Sequence, residues 1–148
     1  MKVIVQRVSE AACLVDSEIV SKIDKGYLLL VAMEANDSEA ELQWMAKKIS
    51  GLRIFEDENQ KMNLNIHQVN GSILSISQFT LAGHVEKGNR PSFTKAMEPQ
   101  QANAYYQKFN QLLREHDLQV EEGIFQSHMQ ISLINDGPVT ILIERGNT

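Results

Sequence analysis

Apolar positions alternate with polar ones along Lys2–Val8, where Val3 and Val5 share a face with Arg7. A two-residue period predicts a strand. Ala11–Val15 and Ile19–Ile23 read the same way, and Asp16-Ser17-Glu18 between them is a turn of the kind that joins hairpin strands. Asp24-Lys25-Gly26 forms the next turn, with Gly26 suited to a positive φ. Tyr27–Ala32 is apolar at every position, as expected of a central strand buried on both faces. The period then changes. Ser38 and Glu41 have the spacing of a capping box. Leu42, Met45, Ile49 and Leu52 follow at helical spacing, and Gly51 ends or loosens the helix.

Arg53–Phe55 is a short strand, and Glu56–Lys61 is a polar, solvated turn. Asn70-Gly71 is a strong turn signal. It starts a strand predicted over Ser72–Leu81, with Ile73, Ser75, Ser77 and Phe79 on one face and Leu74, Ile76, Gln78 and Thr80 on the other. Pro99 suits the first position of a second helix. Ala102, Tyr105, Tyr106, Phe109, Leu112 and Leu113 form its apolar stripe, so its aromatics read as core. Met129–Ile134 and Val139–Ile143 are the last two strands. The order ββββ–α–β–β–α–ββ predicts an α+β domain over residues 1–148, with a mainly antiparallel, barrel-like sheet and two principal helices.

Composition adds limits rather than an activity. With 148 residues, 43% hydrophobic and 22% charged, the chain matches one ordinary globular domain and needs no covalent staple. No apolar run approaches the length of a membrane span, and Met1–Arg7 lacks the long apolar region of a secretory leader. A soluble, cytoplasmic protein is expected. The one cysteine, Cys13, lies among Ala11, Ala12, Leu14 and Val15 and reads as a small core residue. The net charge of −5 argues against wrapping a long stretch of RNA, because phosphate binding is driven by Lys and Arg. A grip on one terminal nucleotide stays open. Lys87–Lys95 holds three cations and Phe93 in a Gly- and Pro-containing loop, which charge alone reads as solvated.

Two runs depart from the pattern. In Ser77-Gln78-Phe79-Thr80-Leu81, Gln78 and Thr80 fall on one strand face, where an amide and a hydroxyl could meet an ester carbonyl as it becomes an oxyanion. A solvated sheet face carries the same residue types. Asn135-Asp136-Gly137-Pro138-Val139-Thr140 is dense in turn formers. Ser77, His84 and Asp136 supply the types of a nucleophilic triad, but no Gly-x-Ser-x-Gly elbow surrounds Ser77. His67, His84, His116 and His128 lack zinc spacing, no glycine-rich phosphate loop is present, and neither metal nor cofactor is expected.

Taken together, these two runs resemble the signature pair of the D-aminoacyl-tRNA deacylases. Lys87–Phe93, Val5–Val8 and Val15-Asp16 match in register, so the resemblance runs from Met1 to about Glu144. It implies hydrolysis of the ester between a D-amino acid, or mischarged glycine, and the 3′ end of tRNA, a chirality-proofreading step in translation. It implies a homodimer with active sites at the subunit interface. Gly137-Pro138 would be a cis dipeptide reaching into the partner's pocket, where backbone carbonyls exclude an L side chain. Arg7 would brace it. Ser77, Gln78, Phe79 and Thr80 would line the ester side, and Phe125 and Met129 would pack on the terminal adenine.

Two routes to hydrolysis stay open. Either the Thr80 hydroxyl attacks or activates water, or Thr80 supplies backbone N–H while a ribose hydroxyl assists. The second is preferred, because no base near Thr80 in sequence is evident. Phe125-Gln126-Ser127-His128-Met129 departs from the family's usual Phe-Gly-Ala-Asp-Met. That departure leaves a non-catalytic RNA-end binding protein on the same fold as the alternative. A broader aminoacyl ester hydrolase acting on an L-amino acid is a further one, and Gly137-Pro138 speaks against it.

Overall fold

The computed structural model describes residues 1–146. Its spine is β1 (Lys2–Val15), one strand where the alternation predicts two. The chain stays extended through the exposed Ser9 and Glu10 because β8 (Gln130–Glu144) pairs with it along almost its whole length. On its other edge, β3 (Gly26–Ala32) pairs with Lys2–Val8 and β2 (Glu18–Ile23) pairs with Ala11–Val15. The turn between β1 and β2 is Asp16-Ser17, with φ of 51° and 66°. Two successive positive φ values match the twist of the flanking strands and close the hairpin tightly. Gly26 has φ +155°, and a Cβ there would lie 1.8 Å from the Ser72 carbonyl oxygen, so only glycine lets β3 start against its neighbour.

β6 (Ser72–Ser77) runs parallel to β3, and β7 (Val120–Glu122) runs parallel to β6. The sheet is therefore mixed, which corrects the expectation of a mainly antiparallel one. Each parallel neighbour follows a long crossover holding a helix, α1 (Glu39–Gly51) before β6 and α2 (Pro99–Glu115) before β7. Parallel pairing needs connections of that length. β7 and the small hairpin β4 (Phe55–Glu56) with β5 (Met62–Leu64) were not foreseen as paired strands. They are two or three residues long, too short for a period to show. The expected α+β class with two helices stands, and the sheet is nearly closed and barrel-like.

The helix ends follow their sequence signals. Ser38 donates to Glu41 through its N–H (2.5 Å) and its hydroxyl (2.6 Å), and these bonds hold the Glu41 carboxyl below its ordinary range. Pro99 opens α2 as expected, and the Glu98 carboxylate accepts from the N–H groups of Gln100 and Gln101. The apolar run of β3 serves two cores. Tyr27, Leu29 and Val31 face Leu42, Met45, Ile49, Tyr106 and Phe109 of the helices. Leu28 lies with Val8, Cys13, Ile23, Leu74 and Ile76 on the other side. Burial pushes the Cys13 thiol upward, as fits a core residue. Among the described residues, no helix is long and apolar enough to cross a membrane.

Candidate active site

β6 does not continue to Leu81 as predicted. The Gln78 N–H makes a last bond to the Val31 carbonyl (2.7 Å), and the chain then enters a 3-10 turn over Phe79–Ala82. The Leu81 N–H donates to Gln78 and the Gly83 N–H to Thr80, closing that turn. A tight turn leaves its first N–H groups without partners in the chain. Among the described residues, those of Phe79 and Thr80 donate to no acceptor. Gln78 and Thr80 do adjoin, but through the turn rather than through strand alternation, and the Gln78 amide donates to the Thr80 hydroxyl. Thr80 is exposed and Phe79 is 58% exposed.

This turn forms one wall of a cavity of about 590 Å³ between β6, the start of α2 and the segment before β8. Ser77, Gln78, Phe79, Phe93 and Phe125–Met129 are among the residues that line it. Mostly apolar walls with a few polar groups, contributed by Ser77 and Gln78, Glu98 and Gln126–His128, suit an organic ligand with a reactive polar bond. The aromatic walls are held from behind. Phe125 stacks on Tyr106 of α2 at 6.4 Å, and Tyr106 donates to the Ser75 carbonyl at 2.6 Å. Phe79 meets Phe93 edge to face at 5.2 Å.

Gln126 adopts φ +64°. The departure noted in the sequence therefore keeps a left-handed backbone, with a side chain bearing its cost. Left-handed φ costs a non-glycine residue about 1–2 kcal/mol, and glycine loses about 0.4–1 kcal/mol through its freer unfolded chain. Gln126→Gly should stay within about 1 kcal/mol of the parent in urea unfolding. A loss of several kcal/mol would mean that the glutamine side chain, not the backbone, holds this segment.

A second cluster gathers around Arg7. Opposite it, β8 leaves its ladder. Gln6 pairs with Thr140 and Val8 with Asn135, so Asp136–Val139 loop outward. The two expected strands are the two arms of this one strand. The Gly137-Pro138 peptide bond is cis. Arg7 is only 5% exposed, and it donates through Nε to the Asp136 carbonyl (2.9 Å) and through Nη1 to the Ile54 carbonyl (2.8 Å). Its Nη2 lies 3.7 Å from the Glu56 carboxylate.

Asn135 closes the excursion across its base. It accepts from the Val139 N–H (3.0 Å) and donates to the Thr140 hydroxyl (2.8 Å). That clamp, the Ile54 carbonyl and Phe93 were not singled out as site groups from sequence. Asn135 could have been, since an Asn opening a turn commonly bonds the backbone beyond it.

The chain thus brings Ser77, Gln78, Phe79, Phe125 and Met129 together on the cavity, with Thr80 joined to Gln78 but outside the lining, and separately gathers Arg7 with Gly137 and Pro138. Residues 135–140 do not line the cavity, and both Gly137 and Pro138 are exposed. The triad types stay apart. Among the described residues, His84 lies 3.8 Å from Glu86, and Asp136 meets Arg7 through its backbone carbonyl.

Comparison with known proteins gives consistent matches. The family model described as D-Tyr-tRNA(Tyr) deacylase matches residues 4–144. A D-aminoacyl-tRNA deacylase of an Exiguobacterium species is 52% identical, covering 98% of this chain and 99% of its own. That of Thermotoga petrophila is 50% identical over 97% of each. Among solved structures, one titled c-Myc DNA Unwinding Element Binding Protein has a TM-score of 0.93 and 40% identity over 99% of this chain and all of its own. A probable eukaryotic D-amino acid tRNA deacylase has a TM-score of 0.84 at 17% identity, covering 96% of this chain and 97% of its own, and bears on the fold alone.

Proposed function

The chain belongs to the D-Tyr-tRNA(Tyr) deacylase family and is an enzyme that deacylates D-aminoacyl-tRNA, and we propose that it does so in the cavity beside Ser77–Thr80. The carrying observation is the 3-10 turn beside the cavity, whose first N–H groups, those of Phe79 and Thr80, have no partner among the described residues. In this reading the terminal adenosine lies against Phe125 and Met129, with the ester carbonyl at the turn. Water adds to the carbonyl carbon, and the oxygen becomes an oxyanion held by those N–H groups. Fixed donors of this kind are worth about 10²–10³ each in rate. Collapse breaks the bond to the ribose oxygen, which takes a proton and leaves as the tRNA 3′ end. Ser77 and Gln78 fix the turn, and a vicinal ribose hydroxyl assists the proton transfers. Residues 1–148 act as one catalytic domain, and the proofreading role places the enzyme in the cytoplasm.

Chirality is judged by a second copy. Gly137-Pro138 of one subunit enters the partner's cavity and meets the α-carbon of the amino acid. Its rigid carbonyl groups leave room for a D side chain or glycine and not for an L one. Two observations support a homodimer. The dipeptide is exposed and lies outside its own chain's cavity, and the apolar Phe79, Ile134 and Leu142 are each more than half exposed.

The direct test is hydrolysis of D- and L-aminoacyl forms of one tRNA. We expect the D-form to react at least about 100-fold faster, as exclusion by backbone should give more than a missing methylene does. Equal rates would remove the chirality reading, and binding without turnover would favour the RNA-end binding alternative. Thr80→Val separates the two routes to hydrolysis. Turnover within about fivefold of the parent is expected, since the Thr80 N–H remains. A collapse of several orders of magnitude would make the hydroxyl the nucleophile or base.

A further inference from the structure

The loop between the 3-10 turn and α2 has a charge unlike the rest of the molecule. Lys87, Arg90 and Lys95 are all exposed, and within residues 86–95 only Glu86 opposes them, in a chain of net charge −5. Among the described residues none of these cations forms an ion pair or stacks on an aromatic ring; Lys22, Lys47, Lys61 and Lys108 are also exposed and unpaired, but they are scattered along the chain, whereas these three fall within residues 87–95. Glu86 lies beside His84 instead. Exposed cations left without protein partners are the footprint of a polyanion site.

The loop is also fixed to the cavity at both ends. At one end His84 and Ser92 exchange backbone hydrogen bonds at 2.8 Å each, directly after the turn that carries Thr80. At the other, Phe93 and Ala96 line the cavity, the Lys95 carbonyl accepts from Ala35 (2.9 Å) and the Met97 N–H donates to Met33 (3.2 Å). The loop that carries the cations is therefore anchored beside the cavity at both ends.

We propose that Lys87, Arg90 and Lys95 form the surface that receives the phosphates of the single-stranded tRNA end as it enters the cavity. This rests on the deacylase reading above and adds to it the means by which an acidic protein holds an RNA. The cavity takes the terminal ester, and the loop takes the backbone charge just outside it. Contact is limited to a short strand end, which is what a small basic patch on an acidic surface can hold against general repulsion. Binding is then strongly salt-dependent and indifferent to base sequence, because it is read from phosphate alone.

The test compares the parent with the triple variant Lys87→Gln, Arg90→Gln, Lys95→Gln on two substrates. One is D-aminoacyl-tRNA, and the other is D-aminoacyl-adenosine, which has no phosphate. On the tRNA, KM should rise about tenfold or more at low salt, and the slope of log KM against log salt should fall by about 2, since each contact to a single strand contributes about 0.7. kcat should hold. On the adenosine ester the two proteins should behave alike at every salt concentration, which also shows that the variant is folded. An unchanged KM and salt slope on tRNA would overturn the proposal. So would equal losses on both substrates, because the loop would then be supporting the cavity rather than meeting phosphate. A parent enzyme inactive on both D-esters would instead overturn the deacylase reading.

Discussion

Gly137→Ala should abolish most of the preference for D- over L-aminoacyl-tRNA while leaving a folded protein. Gly137 has φ +132°, a region that L side chains rarely enter. A Cβ there would lie 2.9 Å from Arg7 Nη2 and 2.9 Å from Val139 Cγ2. Arg7 is anchored on two carbonyls and cannot retreat freely. Val139 is buried. The excursion must therefore shift, at a cost of about 1–3 kcal/mol for the strained backbone. Because Asp136, Gly137 and Pro138 are exposed and only Val139 is set in the core, that cost falls on the position of the dipeptide more than on the fold. Rates on D- and L-substrates, read beside thermal unfolding, check this. A variant with parental discrimination would show that loop position does not set selectivity.

Arg7→Met should have a larger effect on stability. It keeps much of the apolar stem and removes the donors to Asp136 and Ile54. The buried Ile54 carbonyl then loses its partner at about 1–3 kcal/mol, and the part-buried Asp136 carbonyl, within reach of water, at less. A loss of about 2–4 kcal/mol in urea unfolding is expected. Discrimination should fall with it, since the excursion loses its tie to β1 and to the β4–β5 hairpin. Arg7→Lys should rescue poorly, because a single ammonium cannot reproduce a planar fork that serves two diverging acceptors. Full rescue by lysine would mean that charge alone matters, with the Glu56 carboxylate at 3.7 Å as its partner.

Much of the fold was readable because burial imposed its period on the chain. Tyr27–Ala32 announced a strand buried on both sides and separates two cores. Ser38, Glu41 and Pro99 marked helix ends that depend only on local hydrogen bonds. Sheet direction was not readable. It is set by the crossovers through α1 and α2, and no property of a strand's own residues records the direction of its neighbour. The join of the two last strands was hidden for a similar reason, since continuity there depends on β1 running beside both arms.

The cavity was legible through resemblance and only partly through pattern. Ser77–Leu81 looked like an alternating strand, yet the chain turns at Gln78, so Phe79 and Thr80 gained unpartnered N–H groups that no face assignment foretells. Asn135 stood within a recognised run, but its clamp depends on Thr140 and Val139 returning within reach. The separation of Gly137-Pro138 from the cavity in one chain follows from β8 leaving its ladder beside Arg7, a tertiary event.

The central claim is that stereochemistry is read in one molecule's cavity by the main chain of another. Crystals grown with a non-hydrolysable 3′-D-aminoacylamino-adenosine test it most directly. The expected result is a two-fold dimer with the ligand's carbonyl at the N–H groups of Phe79 and Thr80, and the neighbouring copy's Gly137-Pro138 packed against its α-carbon. A ligand seated in the cavity with that dipeptide facing solvent in both copies would contradict it.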